Sequence, residues 1–461
     1  MTETKTTFRI AIIGSGPAAF YAADELLKQT DMPIEIDMFE KLLTPYGLVR
    51  GGVAPDHQNI KAVTKIYERI AGKSGFRFFG NVTLGVDLQK EELLPGYHAV
   101  LYAVGAQGDR KLDIPGEDLA GSYSARDFVG WYNAHPDYRE CKFDLSVKRV
   151  AIIGLGNVAL DVARILGHSP AELAKTDIAD YAQAALKTSK IEDIYIIGRR
   201  GPVQAAFTPA ELRELRELEA CDVRIDPEEM VLEDISLEEL SQAHRNVQLH
   251  MDILKMIAET PPGTKPRRIH FMFKRSPLEV QGNQRVERLK LARNELLLQQ
   301  EQVKIQLTEN YQELEVDCIF RAVGYRGIAI PGVAFDPVKS VIPNRSGRVI
   351  DPETLEILPG EYVAGWAKRG PSGVVGTNKH DAQETVHHLL EDLKNPVHHP
   401  EETNRGFAES LLNQKKIEFA TFTDWKVLDD AEKSLGEQHG KPREKFSEVD
   451  QMLDVIRHRD S

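Results

Sequence analysis

Cysteine is scarce: three residues in 461, Cys141, Cys221 and Cys318, far apart in the chain. There is no C-x-x-C and no iron–sulfur spacing, so the chain carries no redox dithiol motif and no recognisable cluster of its own; no metal site is expected. Long apolar runs are missing as well. Nothing approaches the ~18 apolar residues of a membrane span, and the first residues lack the basic-then-apolar layout of a signal peptide, so a cytoplasmic protein without membrane insertion is expected. Positive charge is also short: 58 Lys and Arg against 71 Asp and Glu leave a net charge of -13. That argues against nucleic acid as the principal partner, although a local basic patch can still face an acidic protein. What remains, 41 % apolar and 28 % charged, is ordinary for a globular chain of roughly two to four domains.

The chain is organised around its start. Ile10 to Ile13 run into Gly14-Ser15-Gly16-Pro17-Ala18-Ala19, after which Ala19, Ala22, Ala23, Leu26 and Leu27 recur at helical spacing. This is the strand, turn and helix of a dinucleotide fingerprint. Gly14 permits the sharp turn, Gly16 lets the backbone approach a pyrophosphate, and Ala19 is small enough for helix to pack on strand. Glycines punctuate many loops, so a lone G-x-G-x-x-A is weak. Here a second strand, Ile34 to Phe39, ends in Glu40, where an acid meets ribose hydroxyls.

A loop dense in glycine and proline follows, Thr44 to His57. Asp56 fits an N-cap for a helix carrying Ile60, Val63, Tyr67 and Ile70, which puts His57 in its first turn. A single histidine specifies nothing by spacing. The strand ending at Gly105 closes this unit.

The fingerprint then repeats. Val150 to Ile153 feed Gly154-Leu155-Gly156-Asn157-Val158-Ala159, so two nucleotides are implied. After a polar helical insertion from about 169 to 190, the next strand ends in Arg199-Arg200 where the first unit has an acid. Two guanidinium forks suit a 2′-phosphate, so the second ligand is NADP(H) in preference to NAD(H). Thr208-Pro209-Ala210-Glu211 reads as a capping box, and Glu214 as one carboxylate on a charged helix face. Residues 226 to 260 are helical and acidic. Lys265, Arg267, Arg268, Lys274 and Arg275 form a basic run around an expected strand, Ile269 to Phe273. Val316 to Tyr325 echo the strand ending at Gly105, as expected where a chain crosses back from an inserted domain. A strand at Glu361 to Trp366, a glycine loop at 370 to 378, a helix from Lys379 to Leu393 and a helical covering appendage complete the chain.

The order GSGPAAFYAA, PYGLVRGGVAPDH, GLGNVALDVAR, GRRGP, FTPAELREL, VGYRG and GWAKRGPSGVVGTNKHDAQET resembles the adrenodoxin reductase family, including the bacterial NADPH:ferredoxin reductases built like it. The resemblance runs from about residue 8 to 395. It implies an α/β fold of two Rossmann-like nucleotide-binding domains: an FAD domain, 1–110 and 328–461, split by an inserted NADP domain, 111–327. It assigns Ala19, Glu40, Leu48, Val82, Trp366, Gly373, Val374 and Val375 to FAD, and Arg110, Asn157, Val158, Arg199, Arg200 and Glu211 to NADPH. His57 and Glu214 match residues near the nicotinamide–flavin contact. The implied activity is hydride transfer from NADPH to FAD, then single electrons to a separate ferredoxin-type iron–sulfur protein. Lys265, Arg267, Arg268, Lys274 and Arg275, with Lys368 and Arg369, are the expected docking face. Two rivals stay open: an NADPH-oxidising flavoprotein subunit of the glutamate synthase type, whose cluster-binding cysteines are absent here, and a non-catalytic FAD/NADP sensor. Thioredoxin reductase fails on the missing C-x-x-C.

Overall fold

Ile10, Ala11, Ile12 and Ile13 are all buried, as a central strand of a sheet covered on both faces must be. In the computed structural model, which describes residues 7–300, 302–402 and 404–458, strand Phe8–Ile13 pairs in parallel with Ile34–Glu40 on one side and Ala99–Tyr102 on the other. Phe76–Gly80 extends the sheet at one end. At the other, Ile357–Val363 joins Ala99–Tyr102 in parallel and two short antiparallel strands finish the edge, so late residues complete a sheet begun by the first. The expected strand at Glu361 to Trp366 therefore lies earlier. Gly365, at φ +74°, turns the chain so that Trp366 opens the short helix Trp366–Arg369.

The second sheet is wholly parallel and comes entirely from the middle of the chain: Ser122–Ser124, Cys318–Arg321, Arg149–Ile153, Asp193–Ile197, Arg267–Met272 and Cys221–Ile225, in that order. Each fingerprint helix, Pro17–Leu26 and Asn157–Gly167, starts directly behind its glycine turn. The alanine face of the first, Ala18, Ala19, Ala22 and Ala23, is buried in one core with Ala382, Val386 and Leu389 of helix Thr377–Leu393.

One element has no counterpart in the sequence reading. Arg275–Gln281, Arg288–Gln299 and Gln302–Glu315 form an antiparallel three-stranded meander. Its middle strand, RLKLARNELLLQ, is built largely of residues with high helix propensity, and pairing and burial of Leu289, Leu291 and Ala292 override that preference.

The C-terminal helices Phe407–Gln414, Phe422–Gln438 and Val449–Arg457 do more than cover the first sheet. Buried Trp425 packs edge-on against Tyr46, and the Arg50 guanidinium lies over its ring and pairs with Glu432. Further along, Lys445 Nζ stands 3.4 Å from Asp177 and hydrogen-bonds Asn133, while Lys61 Nζ reaches the same Asp177 at 2.6 Å. Buried Asp177 thus joins the N-terminal helical segment, the middle of the chain and the tail. Burial opposes its charge, yet Lys445 and Lys61 hold its pKa at about 2, while burial in turn holds Lys445 well below the usual lysine range despite Asp177. Asp177→Asn leaves both lysines without their carboxylate and is expected to cost about 3 kcal/mol in urea unfolding. A change within about 0.5 kcal/mol would show that the lysines find other partners.

Candidate active site

The two glycine turns divide their labour in the same way. Gly14 and Gly154 hold φ of +98° and +147°, and a Cβ on either would strike the carbonyl oxygen of Ala103 at 2.6 Å or Ala322 at 2.3 Å. A Cβ on Gly16 or Gly156 would meet nothing within 4 Å. The first glycine of each pair is demanded by the protein's own backbone; the second borders open space, where a pyrophosphate has room to approach. The residues present therefore fit a dinucleotide at each turn.

At the first turn, Glu40 Oε2 accepts the Ser15 N–H at 3.0 Å and its hydroxyl at 2.6 Å, and Oε1 accepts the Leu42 N–H. Burial raises the pKa of this carboxyl. Ala19 is fully buried behind the turn, and Val82 donates its N–H to the Glu40 carbonyl at 2.9 Å. The Tyr46 N–H reaches the Ser15 carbonyl at 3.0 Å, bringing the loop that carries exposed Leu48 against the fingerprint. Across the sheet, the Trp366 indole donates to the Ser372 carbonyl at 3.0 Å, followed by exposed Gly373 and Val374 and half-buried Val375.

At the second turn, Asn157 Oδ1 accepts the Thr208 N–H at 2.9 Å, with half-buried Val158 beside it. Exposed Arg110 donates to the Tyr325 carbonyl at 3.2 Å, and the Tyr325 and Trp366 rings lie 5.7 Å apart. Arg199 and Arg200 are exposed, and neither forms an ion pair among the described residues. Their backbone is pinned from the meander side: Asn294 Nδ2 donates to the Arg199 carbonyl at 2.7 Å and the Lys274 N–H to the Arg200 carbonyl at 2.9 Å.

The middle of the chain meets the Pro55-Asp56-His57 loop in one charged cluster. His57 Nε2 is 2.5 Å from Glu214 Oε2 and 3.5 Å from Glu211, and its Nδ1 is 3.9 Å from Asp161. Burial alone would lower the His57 pKa, but the Glu214 hydrogen bond with Glu211 and Asp161 nearby outweighs it and raises the value. Glu211 is pushed up to about 7, first by burial and then by Asp161. Two expectations are corrected here. Thr208 accepts the Glu211 N–H, but the capping box stays half-made because the Glu211 carboxylate turns to Arg164 at 3.0 Å. Asp56 is no N-cap either: the helix begins at Gln58 after His57, and the Asp56 carboxylate instead takes Arg164 at 2.5 Å and His168 at 3.0 Å. A charged fork offers stronger hydrogen bonds than neutral backbone N–H groups. Sequence reasoning missed Asp161 and Arg164 altogether; an arginine inside an otherwise apolar helix, three residues after an aspartate, was the available signal.

The charges of the expected basic docking face all have partners within the chain. Arg268 is doubly bonded to Asp193, Arg275 is buried against Glu229, Lys274 pairs with Glu233, Lys265 bonds the Leu218 carbonyl and Arg267 the His168 carbonyl. Lys368 pairs with Glu384 and Asp381, and Arg369 bonds Asn378 and the Ser372 carbonyl. Most of these charges are neutralised inside the fold, because carboxylates elsewhere in the chain meet them.

Comparison with known proteins agrees with this geometry. The family model for pyridine nucleotide-disulphide oxidoreductase matches residues 8–256. The chain is 46 % identical over 458 residues to NADPH-ferredoxin reductase FprA of Mycobacterium tuberculosis, covering 97 % of this chain and 99 % of that protein. It is 40 % identical to the mitochondrial NADPH:adrenodoxin oxidoreductase of Arabidopsis thaliana, over 96 % and 94 % of the two chains. A solved structure of the mycobacterial FprA in complex with NADPH superposes with a TM-score of 0.92 at 45 % identity, covering 98 % of this chain and all of that one.

Proposed function

The chain belongs to the adrenodoxin reductase family of NADPH:ferredoxin reductases, within the pyridine nucleotide-disulphide oxidoreductases, and from that premise we infer what its own residues do. It is an FAD-dependent NADPH:ferredoxin oxidoreductase whose partner is a separate ferredoxin-type iron–sulfur protein. FAD, when bound, supplies the exchange between a two-electron donor, NADPH, and a one-electron acceptor.

The observation that carries the residue assignments is the pair of glycine turns on two sheets, one flanked by Glu40 and the other by Arg199 and Arg200, with His57 from the first part of the chain in contact with Glu214 from the middle. On this reading Gly14, Gly16, Ala19, Glu40, Leu48, Val82, Trp366 and Gly373 to Val375 hold FAD; Gly154, Gly156, Asn157, Val158, Arg110, Arg199, Arg200 and Glu211 hold NADPH. The domains run 1–110 with 328–461, and 111–327, which agrees with the membership of the two sheets. Beside the reacting rings the His57 imidazole is the proton carrier, and Glu214 orients it through the hydrogen bond to Nε2. We also place the protein in the cytoplasm, since its three cysteines are all unpaired, as a reducing compartment keeps them; no helix among the described residues is long and apolar enough to cross a membrane.

The test is direct. The purified protein should show a flavin spectrum that NADPH bleaches, and should then reduce an added ferredoxin; flavin that stays oxidised under NADPH would leave only a binding protein.

The pH behaviour of the pair follows from its two shifts. Glu214 is lowered from its ordinary 4.5, where burial is outweighed by the His57 hydrogen bond, so its contribution is present above 4.5 and fades as pH falls through the lowered value. His57 is raised above 6.5, so its contribution is complete below 6.5 and fades as pH rises through the raised value. The contact is therefore fullest between pH 4.5 and 6.5. Glu214→Gln should lower the His57 pKa and shift the alkaline limb of NADPH-driven flavin bleaching to lower pH. An unmoved limb would show that another group sets it.

A further inference from the structure

Arg164 is 1 % exposed on helix Asn157–Gly167, and its side chain is surrounded by acids. Its Nε and Nη2 donate to the two oxygens of Asp56 at 2.5 and 3.1 Å, Nη2 also to Asp161 at 2.7 Å, and Nη1 to Glu211 at 3.0 Å with Glu214 at 3.5 Å. Nη2 lies 3.5 Å from Nδ1 of His57. One planar fork therefore touches the Asp56–His57 loop on one side and helices Asn157–Gly167 and Pro209–Glu217 on the other. A lysine ammonium, a single point of charge, cannot reproduce that spread of donors.

The same geometry decides which imidazole nitrogen keeps its proton. Nε2 faces the Glu214 carboxylate, which favours a hydrogen there, while Nδ1 faces a guanidinium, which opposes one. When His57 gives up a proton, Nδ1 loses it and Nε2–H stays on Glu214.

We propose that Arg164 is a positioning residue for the reaction: it fixes the His57 ring and Glu211 across the boundary between the two sheets and sets the proton affinity and tautomer of His57. This rests on the reading of His57 and Glu214 as the groups beside the reacting rings. The charged groups facing His57 are Asp56 from its own loop, Asp161 and Arg164 from one helix, and Glu211 and Glu214 from the other, with His168 behind Asp56. Four carboxylates thus share one permanent cation. Removing it leaves His57 and His168 to balance them, and both His57 and Glu211 become more basic.

The experiment uses the FAD-loaded protein and reads histidine ring signals by NMR titration, with His57→Gln identifying the His57 resonance. Arg164→Met should raise the His57 pKa by about one to two units. Arg164→Lys should keep it within about half a unit, because the charge remains, yet slow NADPH-driven bleaching about tenfold or more because the fork is gone. An unmoved His57 pKa in Arg164→Met, an equal rise in Arg164→Lys, or an unchanged bleaching rate in Arg164→Lys overturns the proposal. If Arg164→Met does not fold, Arg164→Lys and Asp161→Asn decide: the second removes an acid and should lower the His57 pKa, and no shift there is an overturning result. Failure of the functional reading looks different. Flavin that NADPH never bleaches in the unmutated protein sinks that reading, while the His57 titration in the Arg164 variants still reports on Arg164.

Discussion

Gly14→Val is expected to purify colourless, free of flavin, while Gly16→Ala keeps its fold and loses flavin affinity more gently. At Gly14 the backbone sits at φ +98°, a region where a β-branched side chain is strained, and the added Cβ would stand 2.6 Å from the Ala103 carbonyl oxygen and 2.9 Å from its carbon. Those atoms cannot yield easily, because they follow strand Ala99–Tyr102, which is hydrogen-bonded in parallel to Phe8–Ile13 in the middle of the sheet. The turn must rebuild instead. Ser15 then leaves both Glu40 and the Tyr46 N–H, and the loop carrying Leu48 loses its anchor on the fingerprint. Gly16 has ordinary extended backbone, φ -77°, and an added methyl meets no protein atom within 4 Å. Any cost of Gly16→Ala is thus a cost to a ligand and not to the fold. Flavin content per protein and thermal melting of the two variants check this. A yellow, stoichiometric Gly14→Val would mean that FAD lies elsewhere, and a melting loss for Gly16→Ala as large as for Gly14→Val would mean that both glycines are structural.

The parts of this molecule that were legible in its sequence are those in which one local pattern has one physical solution. Four apolar residues ahead of G-x-G can hardly be anything but a buried parallel strand and a turn, and both fingerprints fold that way. What stayed hidden depends on partners distant in the chain. Asp56 has the right type and position for an N-cap, but Arg164, 108 positions later, offers it two charged hydrogen bonds. The basic run from Lys265 to Arg275 reads as an open patch only while Asp193, Glu229 and Glu233 are unknown neighbours. The middle strand of the meander carries a helix former's composition, and only pairing on both sides makes it extended. Arg164 itself lay in plain view within GLGNVALDVAR. Its burial among apolar neighbours demanded carboxylates, but nothing local says that they come from three different segments.

Replacing Arg199 and Arg200 together by alanine should turn a strong preference for NADPH into near indifference between NADPH and NADH. Both side chains are exposed beyond the end of strand Asp193–Ile197 and have no carboxylate partner among the described residues, in contrast to Arg268 of the neighbouring strand Arg267–Met272, which pairs with Asp193. Two unpartnered guanidinium groups placed where the other fingerprint has Glu40 are poised for an anion, and their backbone is held there by Asn294 and Lys274. A hydrogen bond to a charged group contributes about 1.5 to 3 kcal/mol, and solvent exposure argues for the lower end, so two such bonds amount to about 3 kcal/mol, on the order of a hundredfold in kcat/KM for NADPH. NADH has no 2′-phosphate to lose, so its kcat/KM should change by less than about threefold. The NADPH loss should also shrink with added salt, because exposed charges are screened, whereas a collapse of the site would be insensitive to it. Equal losses for the two nucleotides would remove the 2′-phosphate from these arginines. Asn294→Ala grades the same idea: it leaves both guanidinium groups in place but frees the backbone that carries them, so it should raise the KM for NADPH by less than the double alanine variant and leave NADH untouched.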